Sequence, residues 1–232
     1  MANSKVVRFS THLVQCLALD GKVSCFSTGI EAHVFAIAVG RILQVYNSQN
    51  YELLAEFNRK GTLLHKAPIR TCCICSTARY VAAASDDLRV VVWNMLTRRK
   101  QSLLLGHRDL IFDLSFTAND NFLVSTSADG KVLMWDWING KCVRTFAQEH
   151  SAVHKFSLVQ KNNLHRLATA CSDGSVGLWD VGETRNLQKL ATIEPDQEWR
   201  IKRNTAANAG WIDPQRHHSG GINFVAFSPN GR

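Results

Sequence analysis

Four aromatic residues, Tyr46, Trp93, Trp135 and Trp179, stand 47, 42 and 44 residues apart, and around each of them one order of residue types returns. The order is clearest in residues 106–136, GHRDLIFDLSFTANDNFLVSTSADGKVLMWD, which open on Gly106-His107 and close on Trp135-Asp136. Between those ends Ile111, Leu114 and Phe116 mark one short strand, Phe122 to Ser127 a second and Lys131 to Trp135 a third. Each is bounded by the Asn, Asp and Gly residues that turn a chain. A period kept this closely is the signature of a repeat architecture.

Both flanks carry the same set. Residues 65–105 bring His65, then Ile69, Cys72 and Ile74, then VAAASDDLRVVVWN with Ser85, Asp87 and Trp93. Beyond the central unit, GKCVRTF at 140–146 reads as an outer strand and the chain re-enters at Glu149-His150. That unit uses Val153, Phe156 and Leu158, then LATACSDGSVGLWD with Thr169, Asp173 and Trp179. Residues 1–57 form the weakest unit, because Gly40 stands in the place of the turn Asp and Tyr46 in that of the Trp. Lys5 to Ser10 alternates enough for a further extended strand, and the sequence ends with His218, Ile222, Val225 and Phe227, the opening of another repeat.

These units resemble the WD repeat, whose unit is one four-stranded blade of a β-propeller. The resemblance covers about residues 30–180 well and 217–232 in part. It implies an all-β fold in a single region, 1–232, with about four blades plus the first strand of a further one. The blades fall at about 12–57 (degenerate), 58–105, 106–147 and 148–190, with a long insertion at 181–219 and a partial blade at 217–232. A ring needs about four to eight whole blades, so an incomplete ring and a fragment of a longer chain are expected. In the resembled blade the His enters the first strand, the Asp follows the second and the Trp lies on the third, so distant side chains meet. This implies structural tetrads of His65, Ser85, Asp87 and Trp93; of His107, Ser125 or Ser127, Asp129 and Trp135; and of His150, Thr169, Asp173 and Trp179. Buried polar groups need partners, which favours a structural over a catalytic reading of these histidines.

Composition narrows the function. A chain with 45% hydrophobic residues builds a core, and no stretch approaches the roughly 18 apolar residues of a membrane span. The first twenty residues, carrying Lys5, Arg8 and His12, lack a signal peptide's apolar run, so the cytoplasm or nucleus is expected. Seven cysteines without a regular framework fit free thiols in a reducing compartment. The Cys72 and Cys75 pair forms a CxxC string, but it falls on a first strand with no second pair, so it reads as core packing. HExxH, GxSxG, GxxxxGK[ST] and GxGxxG are all absent. No catalytic, cofactor or metal residue is expected. The WDxR string that docks some WD-repeat proteins onto a ubiquitin-ligase adaptor is missing too, since Trp135-Asp136 runs into Trp137-Ile138 and Trp179-Asp180 into Val181-Gly182.

Two classes of partner remain. WD-repeat propellers are similar in being non-catalytic platforms, so an interaction scaffold within a larger intracellular assembly is the first expectation. The net charge of +8 and the string EWRIKR raise a second, a nucleic-acid-associated subunit, with Trp199, Arg200, Lys202 and Arg203 as the candidate loop. The plainer account of that loop is a surface insertion whose Trp199 and Trp211 tuck against neighbouring blades. In the resembled ring the His loops and Asp turns open on one rim, which makes their flanking residues the expected partner contacts. These are Arg70 and Asp86, Phe112 and Ala128, His154 and Ser172, and Asn223, with Phe112 and Arg70 foremost because aromatic and Arg side chains dominate interface energies.

Overall fold

The computed structural model describes residues 22–29, 33–58, 64–147, 151–161, 164–181, 189–193 and 221–227. Lys5 to Ser10, His150, Trp199, Arg200, Lys202, Arg203, Trp211 and His218 lie outside the described residues.

Among the described residues sixteen strands build four sheets, each an antiparallel four-stranded meander. Blade 1 holds β1 (Val23–Gly29), β2 (Val34–Val39), β3 (Ile42–Asn47) and β4 (Leu53–Phe57). Blade 2 holds β5 (Ile69–Ile74), β6 (Tyr80–Ser85), β7 (Arg89–Asn94) and β8 (Lys100–Leu105). Blade 3 holds β9 (Ile111–Phe116), β10 (Leu123–Ser127), β11 (Lys131–Asp136) and β12 (Lys141–Ala147). Blade 4 holds β13 (Val153–Lys161), β14 (Leu164–Cys171), β15 (Val176–Asp180) and β16 (Lys189–Ile193). This is the expected all-β propeller, with β1, β5, β9 and β13 side by side as the inner strands of an open arc.

The middle strands are buried on both faces, which is why Val90-Val91-Val92 and Ala82-Ala83-Ala84 run without the alternation of a half-exposed sheet. One face of each blade packs on its predecessor. Leu43, Val45, Phe57, Val81 and Trp93 join blades 1 and 2. Val90, Leu104, Ile111, Leu123 and Trp135 join blades 2 and 3, and Val132, Phe146, Val153, Leu167 and Trp179 join blades 3 and 4. The Trp of one blade reaches under the outer strand of the one before, with Phe57 5.5 Å from Trp93 and Phe146 5.6 Å from Trp179 between ring centroids.

Below the arc a second link binds blades 2 and 3. The Asp120 carboxylate accepts from Ser76 N (3.0 Å) and Ser76 Oγ (2.6 Å), while its carbonyl accepts from Trp137 Nε1 at 2.9 Å. Trp137 in turn packs on Tyr80 at 4.6 Å and edge-on to Phe116 at 5.7 Å.

Residues 221–227 continue the arc. Ile222 N donates to Cys171 O at 3.0 Å, as Ile69 N donates to Gly40 O at 2.7 Å where blade 2 follows blade 1. Phe227 N donates to Ser157 Oγ at 3.0 Å, which lays the segment along β13. A Cβ on Gly221 would stand 2.7 Å from Ser172 O, so this approach requires glycine.

Candidate interaction surface

In blade 3 the buried polar chain is complete. Asp129 follows β10, and its Oδ2 lies 3.0 Å from His107 Nδ1. His107 Nε2 is 2.7 Å from Ser125 Oγ, which accepts from Trp135 Nε1 at 2.8 Å. With Nδ1–H directed at the carboxylate, Nε2 accepts the Ser125 hydroxyl proton and every polar atom in the chain is used. Burial alone would raise the Asp129 pKa, but hydrogen bonds from His107 and from the backbone N–H groups of Arg108 and Lys131 outweigh it and hold it at about 2.

The two serines of β10 divide the work. Ser127 Oγ donates to Asp109 O at 2.9 Å and accepts from Asp129 N at 3.1 Å, so it fastens the His loop to the turn and stands outside the relay. Blade 2 corrects the sequence reading on the same ground. Ser85 Oγ donates to Ala67 O at 2.8 Å and accepts from Asp87 N at 3.3 Å, as Ser127 does. The relay position pairs with Val91 and Cys72, as Ser125 pairs with Leu133 and Leu114, and there the chain has Ala83. His65 Nδ1 meets Asp87 Oδ1 at 3.3 Å, yet among the described residues His65 Nε2 has no hydrogen-bond partner. Burial lowers the His65 pKa, with the charge and hydrogen bond of Asp87 and a weak contact to the Ala83 backbone opposing it only in part.

In blade 4 Trp179 Nε1 donates to Thr169 Oγ1 at 3.4 Å, a long contact, and Thr169 Oγ1 donates to Gly177 O at 3.3 Å. Cys171 replaces the fastening serine, and Asp173 N instead donates to Ser151 Oγ at 3.2 Å. Among the described residues blade 1 has no polar chain of this kind: Gly40 (φ 58°) makes its β2–β3 turn, and Tyr46 stacks on Phe35 at 5.4 Å while donating to Gln44 Oε1 at 3.1 Å.

The turns dock on the His loops by one repeated backbone bond. Asp86 N donates to Pro68 O at 3.0 Å, Ala128 N to Leu110 O at 2.9 Å and Ser172 N to Ala152 O at 2.9 Å. Beside them each inner strand carries a β-bulge at its second residue. Ile69 and Thr71 have ladder partners and Arg70 has none; the same skip falls on Phe112, His154 and Ser24. A bulge frees a side chain from the pleat and aims it out of the sheet.

Those freed side chains meet across blades. The Arg70 guanidinium stands 5.8 Å from the centroid of the Phe112 ring, and Phe112 lies 5.0 Å from His154. Arg70 Nε donates to Asp86 Oδ1 at 2.7 Å, and 37% of the Arg70 side chain is exposed. Ser172 is exposed and its Oγ lies 3.1 Å from Ser151 Oγ; Asn223, in the corresponding place beyond blade 4, is exposed as well. Arg70, Phe112 and His154 thus meet in one row, with Asp86 held at its end by Arg70.

A cavity of about 780 Å³, lined in part by Arg70 and Phe112, opens between the inner strands. Its wall carries an ion pair that the sequence reading did not find, Lys155 Nζ to Asp113 Oδ1 at 2.7 Å. Burial raises the Asp113 pKa, and Lys155 pulls it back only in part. Ser24 and Cys25 of blade 1 line the same space. Among the described residues no three of His, Cys, Asp and Glu gather as a metal ion would require, and no helix is long and apolar enough to cross a membrane.

A family profile described as WD domain, G-beta repeat, matches residues 57–94, 98–136 and 140–180. The second and third matches each begin just before the outer strand of one blade and end with the third strand of the next, so the sequence unit straddles two blades. The chain is 27% identical over 184 residues to apoptotic protease-activating factor 1 of Danio rerio, covering 79% of this chain and 14% of that protein. It is 26% identical over 184 residues to the COMPASS component SWD3 of Saccharomyces cerevisiae, covering 77% of this chain and 54% of that one. To the F-box/WD repeat-containing protein sel-10 of Caenorhabditis elegans it is 30% identical over 117 residues, 49% of this chain and 19% of the relative. The chain therefore spans a small part of the length of most of these relatives and about half of one.

Proposed function

Because the chain belongs to the WD domain, G-beta repeat family, we propose that it is a non-catalytic platform that holds other proteins as a subunit of a larger assembly. WD repeats mediate protein–protein interaction, and one similar protein carries the name of a component of COMPASS. The observation that carries the reading is the bulge repeated in every blade. Its support is that the skipped residues Arg70, Phe112 and His154 touch one another across three blades, with Asp86 bonded to Arg70. A part-exposed Arg next to a half-exposed aromatic ring is the composition of an interface hot spot. The polar chains behind the row are consumed by the fold: the His107 and Asp129 side chains are 1% and 7% exposed, which removes them from contact with any substrate.

The test is quantitative capture of co-purifying proteins by the chain and by the R70A/F112A double variant. The expected loss is about 2 kcal/mol, about 30-fold in affinity, with the melting midpoint almost unchanged. Undiminished capture by a folded double variant overturns the assignment of the rim. Titration with single-stranded RNA across a salt series separates the second class of partner, since counterion release makes nucleic-acid binding fall steeply with salt.

A further inference from the structure

We infer that Cys25 and Cys72 form a redox-sensitive pair, at which a peroxide converts two thiols into a disulfide joining β1 of blade 1 to β5 of blade 2. Their Sγ atoms lie 3.2 Å apart, though 47 residues separate them in the chain. A disulfide has an S–S distance of about 2.05 Å, so the sulfurs must close by about 1.2 Å, a movement within reach of small side-chain rotations on two adjacent strands. Neighbouring residues do not compete for the contact. Successive strand residues face opposite ways, so Cys72 lies in the core between blades 1 and 2 while Cys73 and Cys75 lie in the core between blades 2 and 3. Access is also present, because Cys25 is half-buried and both residues line the cavity between the inner strands.

The chemistry assigns each sulfur a role. The hydrogen bond with Cys72 holds the Cys25 thiol below its ordinary range against the opposing effect of burial, and the positive charge of Lys155 adds to it. That same bond, together with burial, pushes Cys72 up, so it stays protonated. The Cys25 thiolate attacks one oxygen of hydrogen peroxide, forming S–O as O–O breaks, and the departing hydroxide takes a proton to become water. Cys72 then attacks the Cys25 sulfur, forming S–S as S–O breaks, and its proton leaves with the hydroxide as a second water. Two thiols and one peroxide give one disulfide and two waters.

The experiment treats the full chain with hydrogen peroxide, blocks remaining thiols and digests with trypsin without reduction. A linked pair of peptides, residues 23–41 and 71–79 with Cys73 and Cys75 blocked, is expected at two hydrogens below the summed mass of the two peptides so blocked. The second peptide holds three cysteines, so variants assign the bond: C72S abolishes the link, whereas C73S and C75S keep it. The midpoint of chemical denaturation should rise on oxidation, return with a thiol reductant and stay fixed in C25S. Recovery of Cys25 and Cys72 as free thiols, conversion of Cys25 to a sulfinic acid without the link, or a link that survives in C72S overturns the proposal.

Discussion

Replacing Ala83 by Ser installs in β6 the hydroxyl that β10 carries at Ser125. In blade 3 that oxygen sits 2.7 Å from the histidine nitrogen and 2.8 Å from the indole nitrogen. In blade 2 His65 Nε2 is buried with no side-chain partner and only a weak contact to the Ala83 backbone, which costs at most about 1–3 kcal/mol. The introduced hydroxyl recovers part of this by donating to Nε2. It also loses its own hydration on entering a fully buried site, and the site is tight. The His65 and Trp93 ring centroids are 5.6 Å apart where His107 and Trp135 are 6.2 Å apart, so the rings must separate slightly to admit an oxygen. The net gain for Ala83→Ser is therefore about 1 kcal/mol. The reverse change is larger: Ser125→Ala removes two buried hydrogen bonds and strands two nitrogens, costing about 2–4 kcal/mol. Urea denaturation of both variants, at unchanged slope, reads the two values. A destabilising Ala83→Ser together with a nearly neutral Ser125→Ala would show that the hydroxyl is incidental and refute the relay.

Leu88 (φ 65°) occupies the turn position that Gly130 (φ 74°) and Gly174 (φ 84°) hold in the next two blades, so Leu88→Gly should relieve about 1 kcal/mol of strain, read as a raised denaturation midpoint. Trp135→Ala should cost about 3–5 kcal/mol, since the residue is 1% exposed and closes a polar chain, whereas Tyr46→Ala, in the blade without that chain, should cost less by the same assay. The folded-state pKa of His65 is depressed, so the unfolded chain takes up the proton first and stability should begin to fall as pH drops below 6.5. Asp129 contributes fully above 3.8 and its share should vanish as pH falls toward about 2, giving a second, later loss in a pH series of denaturation midpoints.

The repeat made the strands of blades 2 and 3 readable almost to the residue, because each is bracketed by turn residues at a fixed offset from a Trp. The relay was harder to place. Ser125 and Ser127 share a face of β10, and sequence order alone cannot say which of two alternate hydroxyls lies deep enough to reach the indole; in blade 2 the one serine at hand, Ser85, was given a role that belongs to Ala83's position. Rim residues emerged from their offset to the histidines, but the reason they leave the sheet, a bulge that skips Arg70, Phe112 and His154, depends on the partner strand's count of residues. Contacts such as Asp113 with Lys155 and Cys25 with Cys72 join residues 42 and 47 apart. They become visible only when one inner strand is laid beside the next.

The Asp120 clasp gives the arc a grain. Blades 2 and 3 share an apolar face and are also tied at the end remote from the rim, through Ser76, Asp120 and Trp137. Opening either blade alone must break that tie as well as bare the shared face, so the two should unzip together while their neighbours fray more cheaply. In amide hydrogen exchange, the slowest protons of β6, β7, β10 and β11 should then exchange at one common rate, as a single cooperative block at the centre of a chain whose sequence is written as separate repeats.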